Sequence, residues 1–157
     1  MAELNPPNVD MDVLRATMLG ARVDRAAATL PQTAAGALFN IVGGRVLMTA
    51  IVGEVTVAIQ NQANNTKLTA NPTTGTSVDI CAVLSIANDE VGCLYGITGT
   101  FATAMVGANA GATVTPTTPV VLPVGTLDLD CAASNTGSVK WSLFYVPLDP
   151  GAYVTAA

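Results

Sequence analysis

From Arg25 onward the chain is broken at short intervals by Gly, Pro, Asn and Asp, and between the breaks apolar residues alternate with polar ones. Successive side chains of a strand point to opposite faces, so a period of two implies extended structure with one side on a core. In "EVTVAIQ", Val55, Val57 and Ile59 share one side, and Glu54, Thr56, Ala58 and Gln60 the other. "TLDLDC" sets Leu127, Leu129 and Cys131 inward against Thr126, Asp128 and Asp130. "SVKWSLFYV" sets Val139, Trp141, Leu143 and Tyr145 against Lys140, Ser142, Phe144 and Val146. Val78, Ile80, Ala82, Leu84 and Ile86 alternate in the same way, as do Val91, Cys93, Tyr95 and Ile97. "NQANNT", "NPTTG", Asn88-Asp89, "GANAG" and "SNTG" supply turns. "TPTTPVVLPVG" carries three prolines, which cannot donate to a ladder, and reads as an edge or connecting segment. The spacing predicts about eight to ten short strands, an all-β, jelly-roll-like β-sandwich. A length of 157 residues suits one such domain.

Residues 1–24 break this pattern. Two prolines stand in "LNPPN", and "VLRATML" suggests a short helix capped by Asp12 and ended by Gly20, or an extended arm with a helical turn. The expected division is an N-terminal arm over 1–24 and a sandwich over 25–157. Such arms reach a neighbouring subunit or dock late.

Charged residues make up 11% of the chain, against about 25% in ordinary globular domains. A chain with so little charge to keep it soluble is expected to hide surface in an oligomer. The six cations are scattered and the net charge is −5, so the clustered positive surface that nucleic acid requires is missing. No apolar run approaches the length of a membrane helix, and the acidic start "MAELNPPNVDMD" is unlike a secretory signal. Assembly in a cytoplasm is the expectation. Cys81, Cys93 and Cys131 are odd in number and widely spaced, and suit buried structural thiols.

One stretch departs from tidy alternation. In "VLMTAIVG" the side formed by Val46, Met48, Ala50 and Val52 is apolar, and so, largely, is that of Arg45, Leu47, Thr49 and Ile51. A strand apolar on both faces lies between layers or against a second subunit. Val46, Met48, Ala50 and Val52 are therefore candidates for a subunit interface, together with Phe144 and Val146 from the outward side of "KWSLFYV".

The usual catalytic groups are scarce. There is no histidine, which removes the common nucleophile–base arrangements and most zinc sites. Asp128 and Asp130 share a side about 6–7 Å apart, as a carboxylate pair would, but also as the solvent face of any alternating strand. The Gly43-Gly44 and "GITG" pairs lack the lysine and helix of a phosphate loop. No catalytic, cofactor-binding or metal-binding residue is assigned, and no cofactor is expected. Trp141 suits a core more than a sugar platform.

"ATLPQTAAGALFNIVGGRVLMTAIVGEVTVAIQNQANNTKLTANP", residues 28–72, and "GSVKWSLFYVPLDPGAYVTAA" at the end resemble small structural proteins of tailed bacteriophages. The resemblance implies a head decoration, or cement, protein: β-rich, homotrimeric, non-enzymatic, and bound to the major capsid protein on the outer capsid surface of the virion. The resemblance carries over no binding residue; the arm is expected to grip the shell, which makes Val13, Leu14, Arg15, Arg22 and Arg25, in or beside it, the capsid-contact candidates. Other roles fit the same composition: a tail tube, tail completion or connector protein, or a jelly-roll carbohydrate- or receptor-binding module using Trp141.

Overall fold

The structure is a computed structural model, and it describes residues 10–157. Helix α1 spans Met11–Leu19. Eleven strands follow: β1 (Ala21–Thr29), β2 (Ala35–Val42), β3 (Val46–Val57), β4 (Asn65–Pro72), β5 (Val78–Asp79), β6 (Leu84–Ser85), β7 (Leu94–Tyr95), β8 (Val120–Leu122), β9 (Gly125–Cys131), β10 (Ser138–Pro147) and β11 (Tyr153–Ala156). They form two antiparallel sheets packed as a β-sandwich. The five-stranded sheet runs β1-β10-β3-β7, with β8 also on β3; the six-stranded sheet runs β11-β2-β9-β4-β5, with β6 also on β4.

The inward sides meet in one core. Trp141, Leu143 and Tyr145 of β10 and Leu127 and Leu129 of β9 are buried, as their alternation requires. Each such side chain contributes about 1.5–3 kcal/mol over its exposed state. Gly53 of β3 lies over Trp141, where a Cβ would come within 2.8 Å of the indole ring. Cys81, Cys93 and Cys131 are free and buried, and burial raises the pKa of each thiol above its ordinary value.

The apolar character of both sides of β3 has a different origin from the one expected. Phe144 faces Ala50 across the ladder, but its neighbour Tyr145 faces Met48, leaving Thr49 as an extra residue. Such a bulge reverses the phase of the strand. Val46, Met48 and Ala50 point into the core before it, and Ile51, Gly53 and Val55 after it. Val46, Met48 and Ala50 are thus core residues of the single chain, with no surface left for a neighbour. Only Val52 of that group lies on the outer side, half-buried.

Arg22, Val23, Asp24 and Arg25 are paired with Phe144, Leu143, Ser142 and Trp141, so β1 runs through residue 24. Residues 78–97 hold two-residue ladders, β5, β6 and β7, and isolated bridges at Ala82 and Gly96, in place of long strands. Ile80 and Ile86 are nonetheless buried, each held by its amide to a carbonyl near or within β4: Ile80 to Leu68 at 2.9 Å and Ile86 to Asn64 at 3.2 Å.

Candidate interaction surface

Helix α1 stands apart from the core. Asp10 caps it, its carboxylate accepting the Asp12 amide at 2.9 Å, which places the cap two residues before the Asp12 expected from the sequence. Gly20 ends it with φ 83°, and a Cβ there would overlap the Tyr145 carbonyl. Only glycine meets both demands easily. The Thr49 hydroxyl donates to the Leu19 carbonyl at 2.5 Å, so the bulge residue of β3 anchors the end of the helix.

Met11, Leu14 and Met18 follow the i, i+3, i+7 spacing that sets side chains on one helical face. All three are exposed, at 59%, 41% and 73%, with Val13 beside them at 60%. No residue of the helix is buried. A nine-residue helix is marginal by itself in water, and this one leaves its apolar stripe uncovered by the described residues.

The outer side of the five-stranded sheet adjoins this helix through β1 and β10. Arg22 lies over the Phe144 ring, 5.8 Å from its centroid, and binds Asp24 at 2.8 Å. Ser142 donates to the same Asp24 carboxylate at 2.6 Å; that bond, with Arg22 beside it, holds Asp24 below the usual carboxylate range. Lys140 pairs with Glu54 at 2.9 Å. Val146 is exposed, and Phe144 and Val52 are half-buried on this side.

With Val46, Met48 and Ala50 in the core, the remaining candidates separate into two groups and one outlier. Val13, Leu14 and Arg15 ride on α1, where Arg15 binds Asp12 at 2.7 Å. Arg22, Val52, Phe144 and Val146 lie on the outer sheet face. Arg25 points inward from β1 beside Trp141 and joins neither group. The sequence reading missed Met11 and Met18; their spacing signals the stripe only once the helix is known to begin at Met11.

The residues weighed for chemistry are placed otherwise. Trp141 is 2% exposed and stacks on Tyr95 at 6.2 Å, so it offers no ring face to a sugar. Asp128 is buried, with Asn71 donating to it at 3.3 Å, while Asp130 is half-buried near Lys67 at 3.7 Å. Among the described residues no group of three His, Cys, Asp or Glu could hold a metal ion, and no helix is long and apolar enough to cross a membrane. Comparison with protein-family models, curated proteins and solved structures finds no match to this chain.

Proposed function

We propose that this chain is a non-enzymatic structural subunit of a tailed-bacteriophage particle, which binds the outer capsid surface as a homotrimer and stabilises the head. The observation that carries the reading is the uncovered stripe of Met11, Leu14 and Met18 on a helix seated outside the core. A protein of this kind needs a rigid body, a self-associating face and a segment that grips the shell. The sandwich is the body. The outer side of the five-stranded sheet, at Val52, Phe144 and Val146, is the self-associating face. Helix α1 is the grip, working in the helix-in-groove manner with regularly spaced apolar anchors. A ligand that binds only the assembled shell stabilises it by mass action, and three linked copies multiply modest affinities.

Density of the purified particle at side-chain resolution tests the assignment: the chain should lie on the shell with α1 against the capsid protein. The same density separates head from tail. Absence from virions would sink the reading. Because β1 begins at Ala21, a chain lacking residues 1–19 keeps its sandwich intact and should lose shell binding. Undiminished binding by that truncation would remove α1 from the role.

A further inference from the structure

Strand β1 lies at the edge of its sheet. It is nine residues long, and none of them is buried. Among the described residues it pairs with β10 alone. Helix α1 precedes it and β2 follows it, so the chain is placed on both sides of the strand, and neither neighbour pairs with its free edge. Beside Ala21, Arg22 and Asp24 an open groove of about 370 Å³ separates it from α1. An unpaired edge of this length is a template for another strand. A bulge at Ala26 and Ala27 interrupts it, so the regular part is Ala21–Arg25, "ARVDR".

That segment is complementary to itself. Val23 packs on the core, and Arg22 and Asp24 are exposed on the other side. Residues directly opposite in an antiparallel pair share a face, so a second copy can meet β1 only in registers that keep Val23 inward and the two charges outward. Three of these have a two-fold axis beside one of the middle residues. An axis at Arg22 sets Arg22 against its own copy, and an axis at Asp24 does the same for Asp24; like charges directly opposite are destabilising. An axis at Val23 sets Arg22 of each chain against Asp24 of the other. With the bond of 2.8 Å between Arg22 and Asp24 within each chain, the four charges then alternate around a closed square. The chain carries a net charge of −5, so two copies repel in general, and this register brings unlike charges together.

We propose that β1 pairs edge to edge with β1 of a second copy about a two-fold axis at Val23, joining two sheets into one. Main-chain bonds supply affinity, as in strand addition to any open edge, and the crossed Arg22–Asp24 pairs fix the register. A two-fold contact uses the same patch on both subunits and cannot lie inside a three-fold ring; in the proposed capsid role it ties one trimer to the next. Five residues of pairing make a small, transient interface, with a dissociation constant on the order of 1 mM, so it fills where copies are crowded. It is separate from α1 and from the outer-face contact, and each can fail without the others.

The test uses two full-length variants and their mixture. Arg22→Asp makes both outward positions acidic and Asp24→Arg makes both basic, so neither variant suits itself and each suits the other. Isotope-labelled Asp24→Arg is titrated with unlabelled Arg22→Asp, and amide chemical shifts are followed. Saturable shifts are expected at residues 21–25, with binding at least about tenfold tighter than either variant shows for itself, and weaker as salt rises from about 0.05 to 0.5 M. A role confined to one chain would change with each single variant and gain nothing on mixing. If either variant fails to fold, the wild type decides, since its own residues 21–25 should shift with concentration and revert in salt. No saturable shift at millimolar protein, or self-association of the variants as tight as that of the mixture, would overturn the pairing. Shifts at Val52, Phe144 and Val146 with none at residues 21–25 would overturn it as well and leave the trimer standing.

Discussion

Asp89 is a carboxylic acid placed where water scarcely reaches, at 2% exposure. Its backbone does what a turn residue should: its carbonyl accepts the Ile59 amide at 3.0 Å. Its side chain turns inward instead and accepts the Tyr95 hydroxyl at 2.5 Å. Burial pushes the Asp89 carboxyl above the usual carboxylate range, the tyrosine bond opposing only part of the effect, and burial likewise raises Tyr95. A folded-state pKa above the unfolded one favours the protonated form of the fold. The resulting stability is complete below about pH 4 and is lost as pH rises through the folded-state value. Asp24, Asp79 and Asp149 act in the opposite sense: Ser142, Lys67 and Arg45 respectively hold them low, so their contributions are present above about pH 4 and are lost in acid. Asp89→Asn keeps an acceptor for Tyr95 and removes the titration. Urea unfolding of both proteins from pH 4 to 8 should show the variant gaining on the wild type as pH rises. Parallel curves would mean that Asp89 ionises in the fold at no cost.

Strand β3 shows how one inserted residue alters the meaning of an entire element. Without the bulge at Thr49, Met48 and Val52 would share a face; with it, Met48 is sealed in the core and Val52 looks outward. Met48→Ala should therefore destabilise the single chain by about 2–5 kcal/mol through the cavity it leaves. Val146→Ala, on the outer side of β10, should stay within about 0.5 kcal/mol. Chemical denaturation of the two variants checks the assignment, and similar losses would refute it. β9 and β10 were legible in the sequence because their alternation is unbroken and their two faces differ in polarity along β9 and the first half of β10. The bulge was not legible, because the residues on both sides of Thr49 are apolar and a change of phase among apolar residues leaves no mark. β4 was hidden for the opposite reason: "NTKLTANP" is rich in turn formers, yet Thr66, Leu68 and Ala70 are buried. In residues 78–97, Ile80 and Ile86 do face inward, but Val78 and Val91 are exposed, because those segments are loops packed on β4 and β3 more than strands within a sheet.

At the scale of the molecule, the few charges serve local purposes. Arg45 grips Asp149 through Nε at 2.9 Å and Nη2 at 2.7 Å, fastening the β2–β3 turn to the chain beyond β10. Lys67 joins Asp79 and Asp130 across β4, β5 and β9. With five of the six cations committed in this way, the proposed self-association would rest mainly on apolar and neutral surface. Sedimentation should find the proposed trimer little changed between about 0.05 and 0.5 M salt, since screening acts on exposed charge. Val52→Asp and Val146→Asp should shift the chain toward monomer while the monomer stays folded, its midpoint falling only by what the lost association contributed. A wild-type chain that stays monomeric at every concentration would discard the trimer. The order of strands within each sheet was not legible, since it depends on which strands become neighbours, and alternation reports faces alone.

Helix α1 is joined to the body by Gly20 and then directly by β1, which β10 holds from its first residue, Ala21, onward. Whatever holds α1 therefore pulls on the end of a strand and not on slack chain. A load directed along β1 is shared by its cross-strand bonds at once, and they must yield together. A load at right angles peels them one at a time, beginning at Ala21. The mounting thus has a strong axis and a weak one, and in the proposed role a shell under outward pressure would be best restrained by subunits whose β1 strands lie along the direction of strain.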